Sequence, residues 1–290
     1  MRTVALVTDG TATLPALLGG VPEGWLTTVP VTLVVDGSPS ELDADRLPEL
    51  LQGKHSVSTA APSPRALRTA YAAAAALGAE AVVSVHLPES LSSTVLAARQ
   101  GAEDASVPVH VLDAGTVGLP LGWSVAAGVA AAAAGLDAEA VARTVLRVAG
   151  ETRLAFVVPS LEHLRRGGRI TTGQAVAGTA LAVRPVLHVT GGRVELLERV
   201  RTTARARERM VHRALGHAAL LRGRGREVVA GVQHLGAQSA AEELAAELRA
   251  GGLRPEVREI GPVVGAHAGP GVLGVAVGGL PRELLDQLPG

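Results

Sequence analysis

The sequence lacks cysteine altogether, and its only aromatic residues are two Trp, one Tyr and one Phe among 290 residues. Without cysteine the chain has no disulfide, no catalytic thiolate, no cysteine-ligated iron–sulfur cluster and no cysteine zinc site. Lys plus Arg number 27 and Asp plus Glu also number 27, so neither charge is in excess. A dedicated nucleic-acid binder depends on net positive charge, and the composition argues against one.

Long hydrophobic runs are also scarce. Residues 114–136 carry no charge and are long enough to span a bilayer, but they are mostly Ala and Gly and include Pro120. A helix buried inside the protein is the better interpretation. Residues 261–280 are uncharged too, but their two prolines and many glycines exclude one regular helix. The first residues show no positively charged leader followed by a long apolar run, so no secretory signal is expected. We therefore expect a cytoplasmic protein without stable membrane insertion.

In the first half, short β-branched runs alternate with Ala- and Leu-rich helical stretches. The predicted strands are 4–8, 29–35, 81–86 and 107–112, and the predicted helices are 45–52, 64–76, 92–104 and two long helices reaching about residue 150. The predicted strands are apolar on both faces, which is typical of a parallel sheet covered by helices. We predict an α/β/α domain over residues 1–155.

After residue 150 the pattern changes. Two runs of alternating residues flank Gly191-Gly192, which predicts a tight antiparallel hairpin. The predicted strands are 153–158, 183–190, 193–200, 228–233, 255–260 and 272–277, and the predicted helices are 160–166, 203–221 and 239–250. We predict an α+β domain with a mixed or antiparallel sheet over residues 156–290. The overall class is α/β, with the ligand site expected between the two domains.

Polar residues follow several predicted strands, where strand ends and helix N-termini converge and ligands often bind. Asp9 follows the first strand and either contacts a ligand or partner or caps the next helix. Thr59 lies in a hydroxyl-rich segment before two prolines, a pattern that is also typical of a helix start. Ser92, Ser93 and Thr94 offer hydroxyls and free amides to a carboxylate or phosphate, although a serine cap is the simpler interpretation.

Two glycine-rich segments are more unusual. Arg169 follows Gly167-Gly168, where its guanidinium is able to form a charge-assisted fork to an oxyanion. His267 begins the segment His-Ala-Gly-Pro-Gly, which includes Gly269 and predicts a loop. A helix cap and a solvent-exposed histidine are the structural alternatives. We favour a functional role because such glycine-rich segments lose much chain entropy when they are ordered.

Several familiar motifs are absent. The sequence has no Walker A sequence, no Gly-x-Ser-x-Gly motif and no His-Glu-x-x-His helix. The nine histidines show no metal-ligand spacing, so neither a metal nor a cofactor is expected. The arginine-rich segment 199–226 also contains glutamates, which favours a solvated face, and a partner-docking surface is the main alternative.

Taken in order, these segments resemble the DegV family. That family has Thr-Asp-Ser, Thr-Ser-Gln-Pro-Ser, Leu-Ser-Gly-Thr, Leu-Glu-x-Leu-x-x-Gly-Gly-Arg-Ile, Val-Arg-Thr and His-x-Gly-Pro-Gly motifs. The matching segments here are Thr8-Asp9-Gly10, Thr59-Ala60-Ala61-Pro62-Ser63, Leu91-Ser92-Ser93-Thr94, residues 161–170, Val200-Arg201-Thr202 and residues 267–271. Each motif is weak alone, but the ordered set is specific and spans nearly the whole chain. The departures from the family pattern are Gly10, Ala60, Ala61 and Ser93.

The resemblance implies a binding protein that holds one long-chain fatty acid between its domains. It also implies a protein partner, a separate ATP-dependent fatty acid kinase of the DAK type, which phosphorylates the presented carboxylate. By the same resemblance, the hydroxyls at Thr59, Ser92, Ser93 and Thr94 would bind the carboxylate. The residues expected at the pocket mouth, near the phosphoryl group or the partner, are Asp9, Arg169, Arg201, His267 and Gly269.

Two other function classes stay open at this point. The first is a hydrolase or acyltransferase that uses Ser92 or Thr94 with His267, which requires a hydrogen-bonded pair and an orienting carboxylate. The second is a lipid-responsive regulatory protein that acts by contact with another protein. With no cofactor and no nucleotide motif, a binding subunit without its own catalytic centre is the favoured interpretation.

Overall fold

The computed structural model describes residues 4–40, 46–53, 55–170 and 184–285. The strands are β1 Val4–Asp9, β2 Leu26–Val29, β3 Thr32–Val35, β4 Ser38–Ser40, β5 Val57–Ala60, β6 Ala81–His86, β7 Val109–Asp113, β8 Arg153–Val157, β9 Arg184–Thr190, β10 Arg193–Val200, β11 Glu227–His234, β12 Pro255–Glu259 and β13 Leu273–Leu280. The helices are α1 Leu47–Gln52, α2 Pro64–Ala76, α3 Thr94–Ala102, α4 Leu119–Ala133, α5 Ala138–Glu151, α6 Glu162–Arg166, α7 Thr203–Gly223, α8 Gln238–Ala250, α9 Pro262–Ala268 and α10 Arg282–Leu285. The predicted helix start at Asp45 and strand start at Val183 lie outside the described residues.

The first sheet is parallel throughout, with the strand order β2-β1-β6-β7. Both of its faces are covered, because β1 alternates its side chains between two cores. Val4 and Leu6 pack toward α4 and α5, whereas Ala5 and Val7 pack toward α2 and α3. The predicted parallel sheet between two helical layers is therefore confirmed.

The second sheet has six strands in the order β10-β9-β8-β13-β11-β12. Only β11 and β12 pair in parallel, so the sheet is mixed, as predicted. Gly191 and Gly192 both have positive φ and form the tight turn of the predicted hairpin between β9 and β10. Helices α7 and α8 cover one face of this sheet. The domain boundary predicted at 155/156 stays a prediction; β8, which spans it, is part of the six-stranded sheet.

The predicted strand 29–35 is wrong as a single element. Pro30 has no amide hydrogen to donate, and the chain leaves the parallel sheet there. It continues as β3, which pairs with β4 and β5 in a small antiparallel sheet of order β4-β3-β5. Thr59 consequently lies in a strand, opposite Leu33, and the helix that was expected to follow begins five residues later at Pro64 with Ser63 as its cap.

The uncharged stretch 114–136 forms α4, which is buried on all sides between the first sheet, α5 and β13. Among the described helices, none has both the length and the hydropathy that crossing a bilayer requires. Gly122 lets α4 approach the loop that follows β1: a Cβ at this position would overlap the carbonyl oxygen of Thr13 and lie 2.8 Å from the carbonyl carbon.

The close approach of Gly122 to the backbone of Thr13 leads to a prediction about stability. Gly122→Ala is expected to lower the free energy of unfolding by about 1–3 kcal/mol, because backbone atoms of the loop must move to admit the methyl group. Gly216→Ala is the matched control, since Gly216 is also inside a helix but has no atom within 4 Å of a Cβ. The control is expected to gain about 0.5–1 kcal/mol from helix propensity. Urea denaturation of both variants measures the difference, and equal effects would contradict this packing.

Candidate functional site

A cavity lies between the ends of the parallel strands and the face of the six-stranded sheet that α7 and α8 leave uncovered. Its empty volume is about 900 Å³, counting the part that is open to solvent. Most of the wall is apolar and includes Leu87 and Leu91 from the first sheet side and Phe156, Val189 and Val272 from the second. An apolar lining with a few polar side chains is typical of sites for small apolar ligands.

Polar side chains on the wall are few, and four of them, Thr59, Ser92, Arg169 and His267, come from the predicted motifs. Thr59 on β5 and His267 on α9 are in contact, with 2.8 Å between the threonine Oγ1 and the histidine Nε2. Arg169 lines the same cavity directly after the Gly167-Gly168 turn. These residues lie far apart in the sequence, and the fold brings them to one cavity.

The Arg169 guanidinium is held in place by backbone carbonyls. Its Nε and Nη2 donate to the carbonyl of Leu91 at 3.0 and 2.7 Å, and its Nη1 donates to the carbonyl of Gly167. A guanidinium has five N–H groups, so two of them stay available for an anion. The side chain is therefore oriented in advance, with its charge at the polar part of the cavity.

The two glycine-rich segments fit against each other. A Cβ at Gly167 would overlap the ring nitrogen Nδ1 of His267, and a Cβ at Gly269 would lie 2.5 Å from Cδ2 of His163. Each segment thus supplies the glycine on which the histidine of the other rests. His267 is in the helix α9 and not in the predicted loop, because Pro262 begins a short helix that ends at Gly269 with φ of +81°.

His267 is a neutral imidazole near pH 7. Burial, followed by the positive charge of Arg169, lowers the pKa of His267 from its ordinary value to about 4. A neutral imidazole has one donor and one acceptor nitrogen, so Nε2 is able to share a hydrogen with the Thr59 hydroxyl in either direction.

Ser92 also lines the cavity, and its hydroxyl lies 2.9 Å from that of Thr94. Thr94 itself is fully buried and does not reach the lumen. Ser93 is exposed at the start of α3 and points elsewhere. Of the three hydroxyls predicted for the carboxylate on this segment, only Ser92 is on the cavity wall, because the helix begins at Thr94, not Ser92.

Three residues predicted at the pocket mouth lie elsewhere. Asp9 is completely buried at the end of β1, so it cannot touch a ligand or partner directly. Arg201 is exposed in the turn between β10 and α7 and does not line the cavity. Gly269 is buried against His163, where its role is steric.

Gln233 is a further polar residue on the wall, and the sequence analysis did not single it out. Gln233, at the end of β11, accepts a hydrogen bond from the amide of Leu119 at 3.0 Å and lies 3.3 Å from the hydroxyl of Thr13. It ties the second sheet to the start of α4. An amide near the end of an otherwise apolar strand was the only available signal.

The pair required for a Ser–His hydrolase is not formed in the described structure. The Nε2 atom of His267 contacts Thr59, whereas the hydroxyl of Ser92 contacts Thr94. No carboxylate among the described residues bonds the His267 ring, whose Nδ1 packs on Gly167. The same part of the chain contains no group of three or more acidic or histidine side chains arranged to hold a metal ion.

The arginines of segment 199–226 are mostly paired with glutamates. The pairs include Arg205 with Glu208, Arg207 with Glu243 and Glu247, Arg209 and Arg213 with Glu198, and Arg226 with Glu151. This favours the solvated face over the docking surface, since paired charges offer little to an acidic partner.

Comparison with known proteins identifies the same family by two routes, a family model and an individual relative. Residues 3–278 match the family model described as "Uncharacterised protein, DegV family". A DegV domain-containing protein of Streptomyces coelicolor is 42% identical over 284 residues, which cover 95% of this chain and 98% of the relative.

Solved structures agree with the sequence matches. The fold is similar to that of a DegV family protein from Thermus thermophilus described for its fatty acid binding, with a TM-score of 0.85, 31% identity and coverage of 97% of this chain and 100% of the other. It is also similar to DegV from Bacillus subtilis, described as a fatty acid binding protein, with a TM-score of 0.83, 25% identity and coverage of 96% and 100%.

The lowered pKa of the half-buried His267 leads to a prediction about pH. The His267 ring is expected to titrate near pH 4 in NMR spectra, and Arg169→Gln is expected to raise that pKa by removing a nearby positive charge. Because the unfolded histidine has a pKa of about 6.5, the stability that neutral His267 contributes is fully present above that pH and is lost as the pH falls toward 4.

Between pH 6.5 and pH 4 the free energy of unfolding is expected to fall by about 3 kcal/mol at most. His267→Gln should therefore show a flatter dependence of unfolding free energy on pH between 6.5 and 4. Titration of His267 near 6.5 in the unmodified protein would contradict the buried geometry.

Proposed function

The chain belongs to the DegV family, and from this premise we propose that it binds one long-chain fatty acid, with the carboxylate beside Thr59, Ser92, Arg169 and His267. The observation that carries the proposal is the distribution of polarity in the cavity. One small group of preorganised donors lies on a wall that is otherwise apolar. Relatives of the same fold are described as fatty acid binding proteins, which supports the same ligand here.

The donors suit a carboxylate. The hydroxyls of Thr59 and Ser92 are able to donate one hydrogen bond each, and Arg169 retains two unused N–H groups. A charge-assisted bond from arginine is stronger than one from a neutral donor. The neutral His267 adds no second positive charge, so the site balances one carboxylate with one guanidinium.

The alkyl chain supplies most of the affinity in this proposal. Burying a methylene contributes about 0.8 kcal/mol, so the polar group mainly fixes the register of the chain. The departures from the family pattern support this arrangement because none of them is on the cavity wall. Gly10, Ala60, Ala61 and Ser93 all lie outside the lining, and Ala60 is exposed on the strand face opposite Thr59.

We further propose that the protein acts as a carrier for a separate ATP-dependent fatty acid kinase, with no catalytic centre of its own. Arg169 and His267 would then contact the phosphoryl group or the kinase once the carboxylate is presented. A kinase partner needs ATP, which places the protein in the cytoplasm in this account. The support is the family resemblance together with an arginine that is already oriented beside the carboxylate position.

Binding is tested with a matched pair of variants on β5. Thr59→Val removes the hydroxyl at constant shape and is expected to weaken binding of palmitate by about tenfold, the cost of one hydrogen bond to a charged group. Ser58→Val is the control, since Ser58 is exposed on the neighbouring position of the same strand. Isothermal titration calorimetry measures both.

In the same assay, each methylene removed from a saturated acid is expected to weaken binding by up to about fourfold. Equal loss in both variants, or an affinity that does not depend on chain length, would contradict the proposed site.

The carrier role is tested with a purified fatty acid kinase and ATP. Arg169→Ala and His267→Ala are expected to lose acyl phosphate formation by a much larger factor than they lose affinity for the fatty acid, because the alkyl chain supplies most of the affinity. Mass spectrometry of the lipid product follows the reaction. A variant that loses lipid and phosphorylation to the same degree would show that its residue acts only by holding the bound carboxylate. Acyl phosphate formation at the unmodified rate in both variants would reject the carrier mechanism.

A further inference from the structure

Asp9 is a fully buried carboxylate that the proposed binding site does not use. It lies at the end of β1 and accepts four hydrogen bonds. The amide and hydroxyl of Thr11 donate to Oδ1 at 3.0 and 2.5 Å. The amide of Leu87 and the Nδ1 of His86 donate to Oδ2, both at 3.0 Å. Every acceptor direction of the carboxylate is therefore directed at a neighbouring donor.

Two of these neighbours are part of the cavity wall. Thr11 and Leu87 both line the lumen, one at the end of β1 and the other at the end of β6. Their donors, however, point away from the lumen toward Asp9. With its hydroxyl bonded to Asp9, Thr11 has no free hydrogen to offer a ligand. The carboxylate thus removes three N–H and O–H donors from a wall that would otherwise be polar.

A chain of hydrogen bonds supports Asp9 from behind. Nδ1 of His86 donates to the carboxylate, Nε2 of the same ring lies 2.7 Å from the hydroxyl of Ser84, and that hydroxyl lies 2.9 Å from the hydroxyl of Tyr71. All of these side chains are fully buried, and none lines the cavity. The arrangement resembles a Ser–His–Asp triad, but no substrate is able to reach it.

The carboxylate is ionised in this environment. Burial alone would raise the pKa of Asp9, but the hydrogen bond and charge of His86 and the two bonds from Thr11 together bring it below its ordinary value. An ionised acceptor forms stronger hydrogen bonds than a neutral one, which keeps the Thr11 hydroxyl turned away from the lumen.

We propose that Asp9 determines specificity: by holding the Thr11 hydroxyl and the amides of Thr11 and Leu87, it keeps the cavity wall selective for an unsubstituted alkyl chain over a hydroxylated one. The inference rests on the proposed fatty acid ligand. Beside Thr11 and Leu87 the oxygen of a chain hydroxyl finds no free donor, which disfavours a hydroxylated chain by roughly tenfold.

The test compares stearate with hydroxystearates that carry the hydroxyl at several positions along the chain. The dissociation constants are measured by calorimetry for the unmodified protein, Asp9→Leu and Asp9→Asn. Asp9→Leu removes both acceptors and keeps the branching of the side chain, and the ratio of affinities for stearate and the best-bound hydroxystearate is expected to fall at least about fivefold. Asp9→Asn keeps one acceptor oxygen, so its affinity ratio is expected to lie between those of the unmodified protein and Asp9→Leu.

Two controls separate this role from simple destabilisation. Adding Thr11→Val to Asp9→Leu removes the freed hydroxyl and is expected to restore most of the lost selectivity. Tyr71→Phe breaks only the far end of the supporting chain and is expected to change stability but not the ratio. Equal weakening of both ligands in the Asp9 variants, or no rescue by Thr11→Val, would overturn the proposal.

The test stays decisive if Asp9→Leu does not fold. Thr11→Val alone should then leave both dissociation constants within about twofold, because a hydroxyl that faces Asp9 contributes nothing to the lumen. A changed ratio in that variant would show that the hydroxyl faces the ligand and would reject the inference. Failure of the unmodified protein to bind stearate would instead reject the proposed function, on which this inference depends.

Discussion

The contact between the Thr59 hydroxyl and the His267 imidazole holds the polar part of the cavity together. The two residues are 208 positions apart, and their side chains meet at 2.8 Å across the join between the small antiparallel sheet and helix α9. The contact requires a neutral, closely packed histidine. Gly167 provides the space against the ring, and burial keeps the proton off it. The arginine that follows Gly168 is brought to the same place by the same turn, so one packing arrangement positions both the hydroxyl and the guanidinium.

The rest of the cavity wall must be free of exposed hydrogen-bonding groups, because it faces the alkyl chain. Strand ends and helix starts normally carry free amides, and both converge on this cavity. The fold satisfies these groups internally. Asp9 accepts from Thr11 and Leu87, and Gln233 accepts from the first amide of α4. On the described part of the wall, the donors left for a ligand are thus concentrated around Thr59, Ser92 and Arg169, which is what allows a single cavity to distinguish the two ends of an amphiphile.

The ordered motifs were enough to find Thr59, Ser92, Arg169 and His267, since each is tied to a local pattern of glycine, proline or hydroxyl residues. They could not reveal which way Asp9 points, because its burial depends on Leu87, a residue 78 positions away. They also did not show that the apolar run 29–35 is interrupted at Pro30, so that β2 before it and β3 after it belong to two different sheets.

The class of the fold was easier to predict than the site. Strands that are apolar on both faces identified the first sheet, whose strand β1 packs into two cores, and the hairpin signal at Gly191-Gly192 identified part of the second. The helical position of His267 was missed because the seven-residue helix α9 is bounded by Pro262 and Gly269, a composition equally typical of a loop. Short elements of this kind are fixed by tertiary contacts, here the packing of His163 and His267 on glycines from the other segment.

The most direct test of the central claim is native mass spectrometry of the protein purified from a bacterial host, followed by denaturing extraction and lipid analysis. The account predicts a mass excess equal to one fatty acid per chain, which disappears on denaturation and is recovered as free acid. A protein that has the mass of the bare chain, and that takes up neither added oleate nor added palmitate, would contradict it.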